Sequence, residues 1–119
     1  MSATFYPSVR YPDADAAIEW LGTAFGFTAG DVHRDDSGRV RHAELWLDGA
    51  AIMLGEGEAS GGGVYIAVDD IDALYERTKS AGVDFERELG DTDYGSREFA
   101  ARDLAGQIWY FGTYRPTPA

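Results

Sequence analysis

The sequence predicts an α+β fold in which one βαβββ module is used twice in tandem. Three observations lead there. Asp48-Gly49 sits between two alternating runs, Val40 to Leu47 and Ala50 to Gly55, and Asp-Gly is a favoured two-residue hairpin turn because both central positions of a type I′ turn need φ > 0. Residues 56–63 are dominated by Gly and Ser and form a natural midpoint. Beyond that midpoint the order of strand, capped helix and three strands begins again: at an offset of 57, Tyr6 falls on Gly63, Asp13 on Asp70, Gly49 on Gly106, Met53 on Tyr110 and Gly55 on Gly112.

Each element has a local reason. Phe5 to Arg10 is rich in β-formers and stops at Tyr11-Pro12-Asp13, where proline removes a ladder donor. Asp13 or Asp15 can cap a helix from Ala16 to about Phe25, with Ala17, Leu21 and Ala24 at helical spacing and Gly26 as the stop. Phe27 to Arg34 is a strand, and Asp35-Asp36-Ser37-Gly38 a turn. In the hairpin that follows, closing Leu47 against Ala50 pairs Trp46 with Ala51, Leu45 with Ile52, Glu44 with Met53 and His42 with Gly55. Ala43, Leu45, Leu47, Ile52 and Leu54 then share a core face, and His42, Glu44, Trp46, Ala51 and Met53 share the other.

In the second module Val64 to Val68 is a strand, Asp69-Asp70 a cap, and Ile71 to Ala81 a helix with Ile71, Leu74, Tyr75 and Thr78 on one side, closed by Gly82. Val83 to Leu89 is a strand and Gly90 to Gly95 a polar loop. Arg97 to Asp103 pairs with Gln107 to Tyr114 across Leu104-Ala105-Gly106. Pairing Asp103 with Gln107 turns Glu98, Ala100 and Arg102 away from a core made by Phe99, Ala101, Trp109 and Phe111; a four-residue turn would instead present Arg97 and Phe99. The first register buries the apolar set.

Composition narrows the function. A chain of 119 residues is one domain, or two small halves sharing a core. With no cysteine, disulfides, thiolate metal sites and cysteine nucleophiles are excluded. Twenty-one acidic against ten basic residues give a net charge of −11, which opposes phosphate backbones and anionic membranes, so neither nucleic acid nor membrane is an expected partner. Met1-Ser2-Ala3-Thr4 lacks the features of a signal peptide, and no window approaches the ~20 apolar residues of a membrane span, so a cytoplasmic protein is expected. Gly61-Gly62-Gly63 precedes a strand and not a helix, so it makes no phosphate loop. No nucleophile-elbow pattern surrounds Ser60 or Ser96.

The duplicated module, with Ala51-Ile52-Met53-Leu54-Gly55 closing one half and Arg102-Asp103-Leu104-Ala105-Gly106-Gln107-Ile108-Trp109-Tyr110-Phe111-Gly112 closing the other, resembles the vicinal oxygen chelate superfamily. Tyr94-Gly95-Ser96-Arg97-Glu98-Phe99 is similar to its glyoxalase/bleomycin resistance-like subgroup. The resemblance implies that each half curls into an open half-barrel, that two halves enclose a cleft, and that halves are often shared between the chains of a homodimer. It also implies a divalent metal held by the first and last strand of each half. Those positions carry Tyr6, Gly63, Met53 and Tyr110, none of them an imidazole or carboxylate, so no metal and no cofactor is expected.

With the resemblance supplying a cleft, strand parity fills it. Its expected lining is Tyr6, Arg10, His42, Glu44, Trp46, Met53, Tyr65, Glu98, Arg102 and Tyr110, an apolar wall with a few polar groups that suits a small molecule. The aromatics could instead plug a closed barrel. His42 and Glu44, two apart on one strand face, are open to three readings: a structural pair, ligands of a relocated metal with Glu98 or a second chain, or an acid/base pair acting on a carbonyl compound. His33, beside Arg34 and the Asp35-Asp36 turn, is expected to be exposed and without a role. The expected function is metal-free binding or sequestration of a small molecule, with no catalytic residue assigned; the alternative is a glyoxalase-, lyase- or dioxygenase-like enzyme.

Overall fold

The computed structural model describes residues 4–59, 61 and 63–116. The chain divides into two compact units, Met1–Ser60 and Gly61–Ala119. Each is a βαβββ module with a four-stranded mixed sheet. The first contains β1 (Ser8–Tyr11), α1 (Ala14–Phe25), β2 (Thr28–Arg34), β3 (Val40–Leu47) and β4 (Ala50–Glu56); the second contains β5 (Gly63–Ala67), α2 (Ile71–Ser80), β6 (Phe85–Asp91), β7 (Arg97–Arg102) and β8 (Ile108–Gly112). The strand orders are β1-β4-β3-β2 and β5-β8-β7-β6, with the first and last strands of each module parallel and the other neighbours antiparallel. Neither sheet closes into a barrel.

The first hairpin has the register that its turn dictates. Asp48 and Gly49 take φ of 50° and 81°, and the ladder runs Leu47–Ala50, Trp46–Ala51, Leu45–Ile52, Glu44–Met53 and Ala43–Leu54. Ala43, Leu45, Ile52 and Leu54 are buried, as are Ala17, Leu21 and Phe25 of α1, which packs on β3 and β4, while Leu47 at the hairpin end is half-buried. In α1 the Asp13 carboxylate accepts a hydrogen bond from the Ala16 amide, so Asp13 is the cap and the helix starts at Ala14, two residues earlier than expected. Gly26 ends it in the left-handed conformation.

The second hairpin has a one-residue longer turn. Arg102 pairs with Ile108, and the Asp103 amide donates to the Gln107 carbonyl. The Gly106 amide donates to the Asp103 carbonyl while Gly106 itself has φ of 79°, a turn closed by a left-handed residue. The Asp103 side chain fixes this loop: Oδ1 accepts from the Ala105 and Gln107 amides and Oδ2 from Trp109 Nε1, all at 2.9 Å. Phe99, Ala101, Trp109 and Phe111 are accordingly buried, and the four-residue alternative is excluded. Tyr75 and Phe85 join Phe99 and Phe111 in an aromatic cluster with ring centroids 4.9–5.7 Å apart.

Other boundaries move. The first strand begins at Ser8 and not Phe5, because the Pro7 carbonyl already bonds to the Met53 amide and the paired ladder starts at Ser8–Met53. Gln107, Thr113 and Tyr114 fall outside β8, Asp103 outside β7, and Val68 outside β5. β6 starts at Phe85 and runs through Asp91, since Gly90 pairs with Glu98 and Asp91 with Arg97; the polar loop is correspondingly shorter. Leu74 is half-buried, whereas Ile71, Tyr75 and Thr78 form the buried side of α2. Within the expected connector, Ser60 and Gly62 lie outside the described residues, as do Met1, Ser2 and Ala3.

Candidate functional site

Each sheet turns one face to its helix and leaves the other open, and the predicted site residues sit on the two open faces. On the first, β1 contributes Ser8 and Arg10, β3 His42, Glu44 and Trp46, and β4 Ala51 and Met53. Tyr6 precedes β1, held beside β4 by the Pro7–Met53 bond of 2.8 Å. Tyr6, Glu44, Trp46, Ala51, Ile52 and Met53 line a hollow of about 190 Å³. Trp46 is 40% exposed and its indole lies over Gly30 of the neighbouring strand, where a Cβ would come 3.0 Å from Nε1. Glycine at that position lets the ring lie against the backbone.

A second hollow, of about 380 Å³, adjoins at Met53 and is lined in part by Ser8, Arg10, Arg39, Arg41, His42 and Glu56. His42 Nε2 stands 3.6 Å from Glu44 Oε2. His33 is exposed, and the structure adds that it is the cross-strand partner of His42, with the rings 5.8 Å apart.

On the second open face Tyr65 and Tyr110 are cross-strand partners, 38% and 44% exposed. Tyr110, Glu98, Ala100, Glu86, Arg87 and Phe99 line a hollow of about 400 Å³. Both Glu98 oxygens accept from the Tyr94 hydroxyl at 2.8 Å, and Arg87 Nη1 approaches within 3.7 Å. This hydrogen bond is the main reason that the Tyr94 phenol titrates above its usual value, since the carboxylate holds the phenolic proton. Tyr65 donates to the Tyr114 carbonyl at 2.7 Å, and burial is the leading cause of its own upward shift. Gly112 lies under Glu98 and Tyr65; a Cβ there would come 2.6 Å from Glu98 Cγ and from the Tyr65 hydroxyl.

The ten predicted residues therefore form sets. Tyr6, Glu44, Trp46 and Met53 come together; Arg10 and His42 meet at the neighbouring hollow; Glu98 and Tyr110 share the third, with Tyr65 beside them. Arg102 pairs with Glu86 and lines none of these hollows. Ala100 is on the open face by parity but is buried, lying between its cross-strand neighbours Arg87 and Tyr110.

Sequence reasoning missed Arg41, Tyr94 and Arg87. Arg41 had a signal: Val40 and Ala43 are both buried with two polar residues between them, which breaks the two-residue period. The ladder shows why, because His33 pairs with His42 and Arg34 with Val40, leaving Arg41 as an extra residue in a β-bulge.

The four positions at which the resemblance implies metal ligands hold a phenol, a thioether, a glycine and a second phenol. At the glycine there is also no room: a Cβ on Gly63 would come 2.6 Å from Tyr110 Cε2. Among the described residues, no three His, Cys, Asp or Glu side chains gather as a metal site requires. The donor set does not fit a divalent ion of the borderline-hard kind.

Residues 5–111 match the sequence model of the Glyoxalase/Bleomycin resistance protein/Dioxygenase superfamily. The chain belongs to that superfamily. An uncharacterized protein of Mycobacterium bovis is 29% identical over 122 residues, covering 89% of this chain and 80% of its own length. Among solved structures, TioX from Micromonospora sp. ML1 is 28% identical with a TM-score of 0.84, the match covering 96% of this chain and all (100%) of that one. A glyoxalase-related enzyme from Clostridium phytofermentans, 23% identical, has a TM-score of 0.81 over 94% of this chain and 95% of its own. The fosfomycin resistance protein FosX of Listeria monocytogenes, solved with Mn(II) and a dihydroxypropylphosphonic acid, shares the fold at 16% identity and a TM-score of 0.71 over 97% of this chain and 92% of its own. No helix is long and apolar enough, among the described residues, to cross a membrane.

Proposed function

We propose that this superfamily member binds or sequesters a small molecule without the family's divalent metal, as a cytoplasmic homodimer in the manner of a bleomycin resistance protein. The observation that carries the reading is the state of the open-face aromatics: Tyr6, Trp46, Tyr65 and Tyr110 are 38–50% exposed and border hollows or one another. Apolar surface kept accessible beside a few polar groups is what a ligand pocket needs. The tyrosine ring over Gly63 supports the metal-free part, because it fills the space of a side-chain donor from β5.

The test is a thermal-shift and calorimetric ligand screen run in parallel on chelator-treated and untreated protein, with elemental analysis of the latter. The expected result is equal ligand affinity in both and no stoichiometric metal. About one divalent ion per chain, with binding lost on chelation, would overturn the reading. The approach of His42 to Glu44 favours one second reading, acid–base chemistry on a carbonyl compound; turnover that disappears in His42→Ala would put it first.

A further inference from the structure

We propose that the hollow at Tyr6, Glu44, Trp46 and Met53 takes an organic cation, an aromatic ligand whose ammonium group is received by Glu44 while its rings lie against Trp46 and Tyr6. The inference rests on the small-molecule-binding reading above and adds the charge of the ligand. Tyr6, Glu44, Trp46, Ala51, Ile52 and Met53 line the space of about 190 Å³, and Glu44 is the one Asp, Glu, Lys, Arg or His among them. Among the described residues the group that approaches its carboxylate is His42. Nε2 of that ring stands 3.6 Å from Glu44 Oε2, beyond hydrogen-bond reach, and the pair is an ion pair only when the imidazole is protonated.

The arginines of the same sheet are directed elsewhere. Arg34 pairs with Asp15 at 2.7 Å and Arg39 with Glu56 at 2.6 Å. The Arg10 side chain runs along Gly57, past the end of β4, where a Cβ would come 3.1 Å from its Cδ. Arg41 and Asp35 lie close enough for each to act on the other's charge, and both line the adjoining hollow with Arg10 and Arg39. None of these four arginines lines the aromatic hollow.

The neighbouring strands bring acid and apolar surface to Glu44 and no basic residue other than the histidines. On the β2 side Ala29 pairs with Leu45 and Val32 with Ala43, so Gly30 and Asp31 together stand opposite Glu44 in a β-bulge. The glycine lets the Trp46 indole lie against the backbone, and Asp31 places a second acidic residue at this flank. On the β4 side Glu44 is paired with Met53, whose thioether is neutral. A carboxylate set among an indole, a phenol and a thioether complements an ammonium group: the aromatic rings attract positive charge through their quadrupoles, and the carboxylate accepts its N–H bonds. A hard metal cation would need several oxygen ligands, and this lining offers one carboxylate and one phenol. The net charge of −11 acts in the same direction, drawing cations towards the chain and opposing anions.

Calorimetry with 2-naphthylmethylammonium, the neutral 2-naphthylmethanol and the anionic 2-naphthoate tests the proposal on the full chain. The expected result is ammonium binding at least about tenfold tighter than the alcohol, the scale of a charge-assisted pair, with naphthoate the weakest of the three. Glu44→Gln should bring the ratio of ammonium to alcohol near one while circular dichroism and melting stay as in the parent, which separates the local carboxylate from the charge of the whole chain. Equal affinity for ammonium and alcohol, a ratio unchanged in Glu44→Gln, tighter binding of naphthoate than of the ammonium, or no binding of any probe would each overturn it. The comparison of probes on the parent chain decides where Glu44→Gln fails to fold. Trp46→Ala separates this failure from failure of the wider reading: alcohol binding that is lost in Trp46→Ala keeps the aromatic site even where the ammonium gains nothing.

Discussion

Replacing Asp103 by Ala removes the acceptor that holds the second hairpin, and the structure sets the size of the effect. Among the described residues, three donors lose this acceptor. The Ala105 amide is at a half-exposed position and water can replace the carboxylate there, at little net cost. The other two are the Gln107 amide and the Trp109 indole N–H, in residues 6% and 1% exposed. Each buried donor left unsatisfied costs about 1–3 kcal/mol, so Asp103→Ala is expected to destabilise the chain by roughly 2–6 kcal/mol. That is a large part of the stability of a domain this size. Urea unfolding of the full chain, read from the midpoint at constant slope, measures it. The double variant with Trp109→Phe discriminates the cause: with the indole N–H gone, the cost of Asp103→Ala should shrink by about 1–3 kcal/mol. A loss below about 1 kcal/mol in the single variant, or strict additivity in the double, would refute the reasoning.

Three further outcomes are expected. Trp46→Ala should weaken a bound ligand by roughly 1–3 kcal/mol with the melting temperature little changed, as measured by calorimetry and differential scanning fluorimetry; unfolding of the variant would mean that Trp46 works as a core residue. Asp15 is held below its usual value chiefly by its hydrogen bond to Arg34, and Asp35 chiefly by that from Ser37, so both depressed groups contribute stability above pH 3.8 that disappears as pH falls through their folded values. The melting-temperature gap between parent and Asp15→Asn or Asp35→Asn should therefore be present at neutral pH and close towards about pH 2; a gap that persists in acid contradicts this. Sedimentation velocity at micromolar concentration should show a homodimer, and a monomer throughout would count against the shared-half arrangement of the family.

How much could be read in advance follows the physics of each element. The Asp48-Gly49 hairpin was legible because a two-residue turn admits few registers and the apolar alternation selects one of them. The second hairpin was legible for the complementary reason, that only one of two turn lengths buries Phe99 and Trp109. What could not be read was the role of Asp103, since a side chain accepting from two turn amides and from the indole N–H of Trp109 on the next strand leaves no periodic trace. Tyr94 and Arg87 were missed likewise: their approach to Glu98 depends on how far β6 continues and how the short loop folds back. The ends of β1 and β6 were misplaced because ladder hydrogen bonds, not β-propensity, decide where a strand stops.

The Tyr110 ring over Gly63 also orders the substitutions by which such a chain can change. With a Cβ at position 63 falling 2.6 Å from Cε2 and 3.1 Å from Cδ2 of that ring, any side chain introduced there meets an aromatic edge before it meets anything else. A histidine at 63 would need the Tyr110 ring to move aside before its imidazole found room. A swing of the half-exposed Tyr110 ring, or a smaller residue at 110, would make that room and widen the hollow that Tyr110 lines beside Glu98. The two positions are therefore coupled, because a side chain at 63 and the ring at 110 compete for the same space.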